Sequence, residues 1–310
     1  MKEYSMILTP HITTIEVNYT GDLPESGLLY TGMFNLGFLA LKFDVHSGKM
    51  LDWWEKRLED RCFQNKMESY FTDQKWMDFL PSFFNKELLV SFHLGMNLAP
   101  WNFYEREVFI SNDKYYVRNR LTEQSGLNAV PLIFVHFSGY NYNSLIENQI
   151  SQDNISSLRQ YEDISLIMDQ YSLALKTSSF LRFVKMPYSF SYFSNGIEVT
   201  KTYRRLYRRM TEDGNIIPRP FDSEGSFYKS LKESRVLNKN LTLADKKSVA
   251  KLHGVGRKLL IINRIFFYSF KILGSEKFFM LIRLMRIYSK VENHVYLINE
   301  AYLRTAKIRD

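Results

Sequence analysis

Cysteine is almost absent from this chain. The single Cys62 excludes an intramolecular disulfide and any cysteine-built zinc site, and it is what a reducing compartment permits, so a cytoplasmic location is expected. Long apolar runs are lacking as well. The start of the chain offers only Met6-Ile7-Leu8 before Pro10, too short for the core of a signal peptide. No stretch repeats at solenoid period and none is low in complexity, which excludes repeat arrays. His-Glu-x-x-His, Gly-x-Ser-x-Gly, the P-loop and Gly-x-Gly-x-x-Gly are all missing, setting aside zinc peptidases, α/β-hydrolases, kinase-like ATPases and dinucleotide binders. Asp-x-Asp is missing too. The nearest acidic pairs at that spacing, Glu105/Glu107 and Asp222/Glu224, do not follow an apolar strand.

What remains is a chain of 310 residues, 45% hydrophobic and 24% charged, long enough for a sizeable core and close to the globular average. Its composition is skewed to aromatics, with 24 Phe, 20 Tyr and 4 Trp. The net charge of +8 is unevenly placed: residues 1–200 carry 17 Lys+Arg against 23 Asp+Glu, and residues 201–310 carry 24 against 10. A mildly acidic body is thus joined to a strongly basic end, which suits an acidic partner surface, either nucleic acid or an anionic membrane leaflet.

The layout reads as mixed α/β. Tyr4 to Thr9 and Phe34 to Phe43 read as buried strands, the second closed by an Asp44-Val45-His46-Ser47-Gly48 turn. Leu51, Trp54, Leu58 and Cys62 recur at helical steps from Met50 onward. A second helix is expected from Thr72, as N-cap, through Trp76, Phe79 and Leu80 until Pro81 interrupts it. Leu88 to Phe92 and Pro131 to Phe137 read as short strands, and Asn112-Asp113 as the turn of a hairpin between them. Ile155 to Leu175 is a helix candidate, and Gly214 to Gly225, with Pro218 and Pro220, is expected to be the main break in the chain.

Four clusters could carry chemistry. In Phe34-Asn35-Leu36-Gly37-Phe38, Asn35 could hydrogen-bond a polyol and Gly37 could let a ligand approach the backbone; a strand start with a turn-forming Asn is the ordinary alternative. In Thr72-Asp73-Gln74-Lys75-Trp76, Asp73 at a helix start could bind sugar hydroxyls or stabilise positive charge at an anomeric carbon, with plain helix capping as the alternative. The loop Leu94 to Asn102 offers Trp101 as a stacking ring beside the amide of Asn102, or simply a packed tryptophan. Finally, Phe134-Val135-His136-Phe137-Ser138-Gly139 delivers His136 to a strand's carboxyl end, where α/β sheets bind ligands, followed by a small Ser138-Gly139 turn; a structural histidine is the alternative.

Taken in order, Ile7-Leu8-Thr9-Pro10-His11, Phe34-Asn35-Leu36-Gly37-Phe38, Leu51-Asp52-Trp53-Trp54, Asp73-Gln74-Lys75-Trp76, Trp101-Asn102 with Glu105-Arg106, and His136-Phe137-Ser138-Gly139-Tyr140 resemble a bacterial family of glycosyltransferases. That family belongs to the nucleotide-diphospho-sugar transferase superfamily and is related to glycosyltransferase family 8. The resemblance covers roughly residues 4–230, with a weaker echo in Phe193 to Ile197 and Arg204 to Tyr207. It implies a partial GT-A (Rossmann-like) α/β fold over 1–215; the residues themselves read as a linker and variable segment over 216–256 and a basic α-helical region over 257–310, outside the resemblance. It also implies transfer of a sugar from a nucleotide sugar to a glycan or lipid-linked acceptor, with Mn2+ or Mg2+ holding the diphosphate. Asn35, Gly37, Gln74, Trp101, Asn102, Ser138 and Gly139 would then face substrate, Asp73 would be catalytic and His136 would be a metal ligand. Family members carry a nucleotide-binding front half ending in Asp-x-Asp ahead of the Leu-Thr-Pro strand. This chain does not contain it, so activity is expected to be impaired or to depend on a separate N-terminal half, and one imidazole does not hold manganese usefully.

The segment 257–290 mixes Arg and Lys with Phe, Ile and Leu in runs too short to span a bilayer. It reads as helices lying on an anionic membrane surface, or as a hairpin docked on the protein. No nucleic-acid-binding motif is present, so no nucleic acid is expected. The second functional reading is accordingly a non-catalytic membrane-surface or interaction protein derived from a truncated glycosyltransferase.

Overall fold

A computed structural model describes residues 3–122, 129–147, 149, 160–177, 179–184, 186–237 and 255–305. The chain mixes helix and sheet and divides into two compact units, Met1–Lys185 and Met186–Asp310.

The first unit opens with β1 (Met6–Pro10), α1 (Glu25–Thr31), β2 (Phe34–Leu41) and α2 (Val45–Arg61), followed by the short pair β3 (Gln64–Asn65) and β4 (Tyr70–Phe71). A 3-10 segment, Gln74–Phe79, runs into α3 (Leu80–Phe83), and β5 (Leu88–Val90) completes a sheet of order β2-β1-β5. In it, β1 is antiparallel to β2 and parallel to β5. Met6, Leu8, Phe34, Met50, Met77 and Leu80 form the dry centre between this sheet, α2 and the 3-10 segment. The alternation of β1 places Met6 and Leu8 on this one face, as a strand packed on one side requires.

Two expectations shift here. Asp44 to Gly48 is the start of α2 and not a turn: the Asp44 carboxylate accepts from the backbone N–H of His46 and Ser47, while Ser47 reaches back to the Asp44 N–H, a reciprocal cap. Thr72 does not cap a helix. It has φ of 47°, an unusual value for a β-branched residue, and the following turns wind as a 3-10 segment. Pro81 falls in the first turn of α3, where a missing N–H costs nothing.

Strands β6 (Arg106–Ser111) and β7 (Lys114–Asn119) form the expected hairpin, with Asn112 and Asp113 both at positive φ, and β8 (Val130–Pro131) adds a third strand. The strand expected over Pro131 to Phe137 does not form beyond Pro131; Leu98 and Val135 make a single isolated parallel bridge there. Helices α4 (Tyr142–Ile146), α5 (Ser165–Thr177) and α6 (Phe180–Val184) complete the unit. Residues 155–159 of the expected helix lie outside the described residues; its later part is a 3-10 turn and α5.

In the second unit, α7 (Lys201–Glu212) and α8 (Ser226–Glu233) share a core of Tyr203, Leu206, Phe227, Leu231, Val295 and Ile298. The Gly214 to Gly225 stretch is therefore a loop inside this unit, between two helices of one core. The 34-residue α9 (Val255–Tyr288) follows, kinked at Gly274, whose φ of 74° breaks the helical path. No helix among the described residues is long and apolar enough to cross a membrane.

Candidate functional site

A cavity of about 430 Å³ opens at the carboxyl end of β1. Asn35, Gly37, Asp73, Gln74, Trp101, His136 and Ser138, drawn from four separate stretches of sequence, all line it, together with His11, Thr31 and Thr72.

The scaffold explains the convergence. At the end of β1, Thr9 pairs with Asn35 and Pro10 with Phe34, and the His11 N–H donates to the Met33 carbonyl at 2.9 Å. This sets His11 beside the start of β2. The His136 N–H donates to the Leu98 carbonyl at 2.8 Å, which carries His136 to the loop that holds Trp101. Trp101 then lies between two imidazoles, with ring centroids 5.1 Å from His11 and 5.3 Å from His136. The ring is 6% exposed, so it walls the cavity and is not an open stacking platform. The indole N–H is buried and, among the described residues, has no hydrogen-bond partner.

Gly37 has a different role from the one its sequence suggests. A Cβ built on it would collide with Nδ1 of His136, so the absent side chain makes room for the imidazole ring. Asn35 and Gln74 are both buried and largely occupied by the scaffold. The Asn35 Oδ1 accepts from the Gly37 N–H at 3.0 Å, and its Nδ2 donates to Gln74 Oε1 at 3.4 Å. Gln74 Oε1 also accepts from the Leu36 N–H, while its Nε2 donates to the Thr31 carbonyl and faces His11 Nε2 at 3.4 Å. All the hydrogen-bonding capacity of that amide is thus engaged, and Gln74 acts as a clamp joining α1, β2 and His11.

His11 donates through Nδ1 to the Met33 carbonyl, which assigns the bare ring nitrogen to Nε2 and makes Gln74 the donor to it. Burial lowers the His11 pKa to about 4, against the opposing pull of the Met33 and Gly32 backbone and of Asp78. His136 is half-buried and its pKa is lowered by the same cause. Both rings are neutral near pH 7. Among the described residues no hydrogen bond reaches the His136 ring nitrogens or the Asp73 carboxylate, which leaves these two groups as the chemically available ones on the wall.

Two expected site residues are elsewhere. Asn102 does not line the cavity and is fully buried: its Oδ1 accepts from the Ala99 N–H, and its Nδ2 donates to the carbonyls of Asn97 and His11. It fixes the Trp101 loop onto the end of β1. Gly139, at φ of 72°, makes the turn after Ser138 and does not line the cavity. Glu105 and Arg106 are a buried pair serving the same scaffold. Glu105 accepts from the Thr13 and Thr14 backbone, and Arg106 donates to the Leu94 and Met96 carbonyls.

His11 is the wall residue that sequence reading left without a role. The signal was available, because it sits at a strand's carboxyl end as His136 was expected to do. The divalent cation implied by the resemblance does not fit the donors present. Around His136 stand Trp101, Gly37 and neutral His11, and no group of three His, Cys, Asp or Glu able to hold a metal occurs among the described residues.

No family model matches the chain, and no solved structure matches it significantly. The chain is similar to the uncharacterized protein YfnF of Bacillus subtilis (strain 168), 32% identical over 121 residues, which is 39% of this chain and 36% of that protein. The similarity therefore spans about a third of the length of each.

Proposed function

We propose that the cavity binds the sugar of a nucleotide sugar, as the acceptor-side and histidine-bearing part of a glycosyltransferase of GT-A type. The observation that carries this reading is the convergence of Asn35, Gly37, Asp73, Trp101, His136 and Ser138 on one concave wall. A polyol needs a dense set of donors and acceptors beside an apolar surface. This wall offers a carboxylate, a neutral imidazole and a hydroxyl beside the largely buried Trp101 ring. Asp73 is suited to accept from sugar hydroxyls and to stabilise positive charge developing at the anomeric carbon. His136, neutral at pH 7, can accept or donate a proton at the sugar or leaving-group oxygen. Gln74, Asn35 and Asn102 hold these groups in place. Carboxylates for the diphosphate's cation would come from a separate N-terminal half.

Saturation-transfer NMR of the full chain with free hexoses, N-acetylhexosamines and the matching nucleotide sugars tests the reading. Transfer to sugar-ring protons is expected, at least tenfold weaker in Asp73→Asn and lost in Gly37→Ala, whose methyl would displace the His136 ring. Absence of transfer to every sugar, or transfer unchanged in both variants, would overturn it.

A further inference from the structure

Helix α9 carries 34 residues and buries none of them. Ile261, Ile265, Phe267, Ile272, Phe279 and Met280 are each more than half exposed, Ile272 at 82%. An apolar surface of this extent is uncommon on a chain that meets only water, and it marks a face built for a partner. The charges on the same helix are of one sign. Arg257, Lys258, Arg264, Lys271, Lys277, Arg283 and Arg286 are exposed and face one acidic residue, Glu276. Among the described residues none of these seven forms an ion pair. Arg257, Arg264 and Lys271 recur every seven residues, so they line one edge of the helix and leave a broad apolar arc beside it.

A second protein surface would answer an apolar arc, but a row of cations without counter-ions flanking that arc calls for a partner that is apolar inside and anionic at its edge. We propose that α9 lies in the plane of an anionic lipid membrane, its Phe, Ile and Leu side chains among the acyl chains and its Arg and Lys at the phosphate level. The helix does not cross the bilayer, since its apolar stretches are interrupted by Arg and Lys. Gly274 divides it into two segments whose Phe266, Phe270 and Phe278 rings meet across the bend, so both segments can present apolar residues to one surface. The C-terminal end is anchored to the rest of the second unit. There His294 approaches the Tyr288 carbonyl at 2.6 Å and Asn293 Nδ2 donates to the Ile287 carbonyl at 2.8 Å. This inference does not rest on the sugar-binding reading.

Flotation of the full chain with vesicles of phosphatidylglycerol and phosphatidylcholine in equal parts, and with pure phosphatidylcholine, tests it. Binding is expected on the anionic vesicles, at least tenfold weaker on neutral ones, and falling as salt shortens the screening length. Replacing Arg264, Lys271 and Arg283 together by Gln is expected to weaken binding about a hundredfold, near fivefold per charge. Ile261→Ser with Phe267→Ser and Met280→Ser should weaken it as strongly. All six side chains are exposed, so the thermal midpoint should stay unchanged and report that the variants fold. No binding to anionic vesicles, equal binding to neutral ones, or binding indifferent to both triple variants would overturn the proposal. Lipid-free dimerisation abolished by the apolar variant, without vesicle binding, would assign the face to a second copy instead.

Discussion

Two polar clusters lie side by side in the first unit and behave in opposite ways. Around Asn102, Glu105 and Arg106 the two charges and the Asn102 amide are committed to backbone partners and to each other, and these three side chains are closed to solvent. On the cavity wall, Asp73 and His136 are held in position with their functional atoms unclaimed. By composition alone the two look alike, Asn102 and Asn35 included. What separates a scaffold from a site is whether neighbouring N–H and C=O groups use up the side chain's capacity before a ligand arrives.

The sharpest way to break this contrast is at Glu105. Glu105→Ala leaves Arg106 charged and buried without its counter-ion, at an expected cost of about 3–5 kcal/mol, read as a fall of roughly 10 °C in the melting temperature of the first unit. His11 comes next, through pH. Its folded pKa of about 4 lies below the unfolded value of 6.5, so the unfolded chain binds the extra proton between these limits. The stability His11 confers in its neutral form is complete above pH 6.5 and is lost as pH falls toward 4, a change of roughly 3 kcal/mol. Denaturant titrations from pH 7 to pH 4 should show a loss of stability that His11→Gln reduces by that amount, with the carboxylate contributions common to both chains.

Asn102→Ala strands the Ala99 N–H and the Asn97 and His11 carbonyls, for an expected loss of about 2 kcal/mol in urea unfolding. The smallest stability effects belong to the wall itself. Asp73→Asn and His136→Gln should each stay within about 0.5 kcal/mol of the parent chain while weakening sugar binding at least tenfold. If these two proved as destabilising as Asn102→Ala, the distinction between scaffold and site would collapse.

Strand β2, the β6–β7 hairpin and most of α2 were legible because period-2 and helical patterns, and turn residues such as Asn112-Asp113, report local geometry directly. The start of α2 was not, since Asp44 to Gly48 is equally good turn chemistry until the reciprocal Asp44–Ser47 cap forms. The gathering of Asn35, Asp73, Trp101 and His136 was foreshadowed by motif order. The division of labour among them depends on tertiary hydrogen bonds such as Gln74 to Thr31 and His11, which no spacing encodes. Likewise, the Gly and Pro of residues 214–225 mark a loop in either reading, and the shared core of α7 and α8 places it inside one unit.

The fit of the His136 ring over Gly37 ties two stretches a hundred residues apart into one unit of inheritance. A side chain at position 37 is tolerable only once position 136 has given up its imidazole, and each exchange made alone passes through a damaged intermediate. Related chains should therefore keep the glycine and the histidine together or lose both.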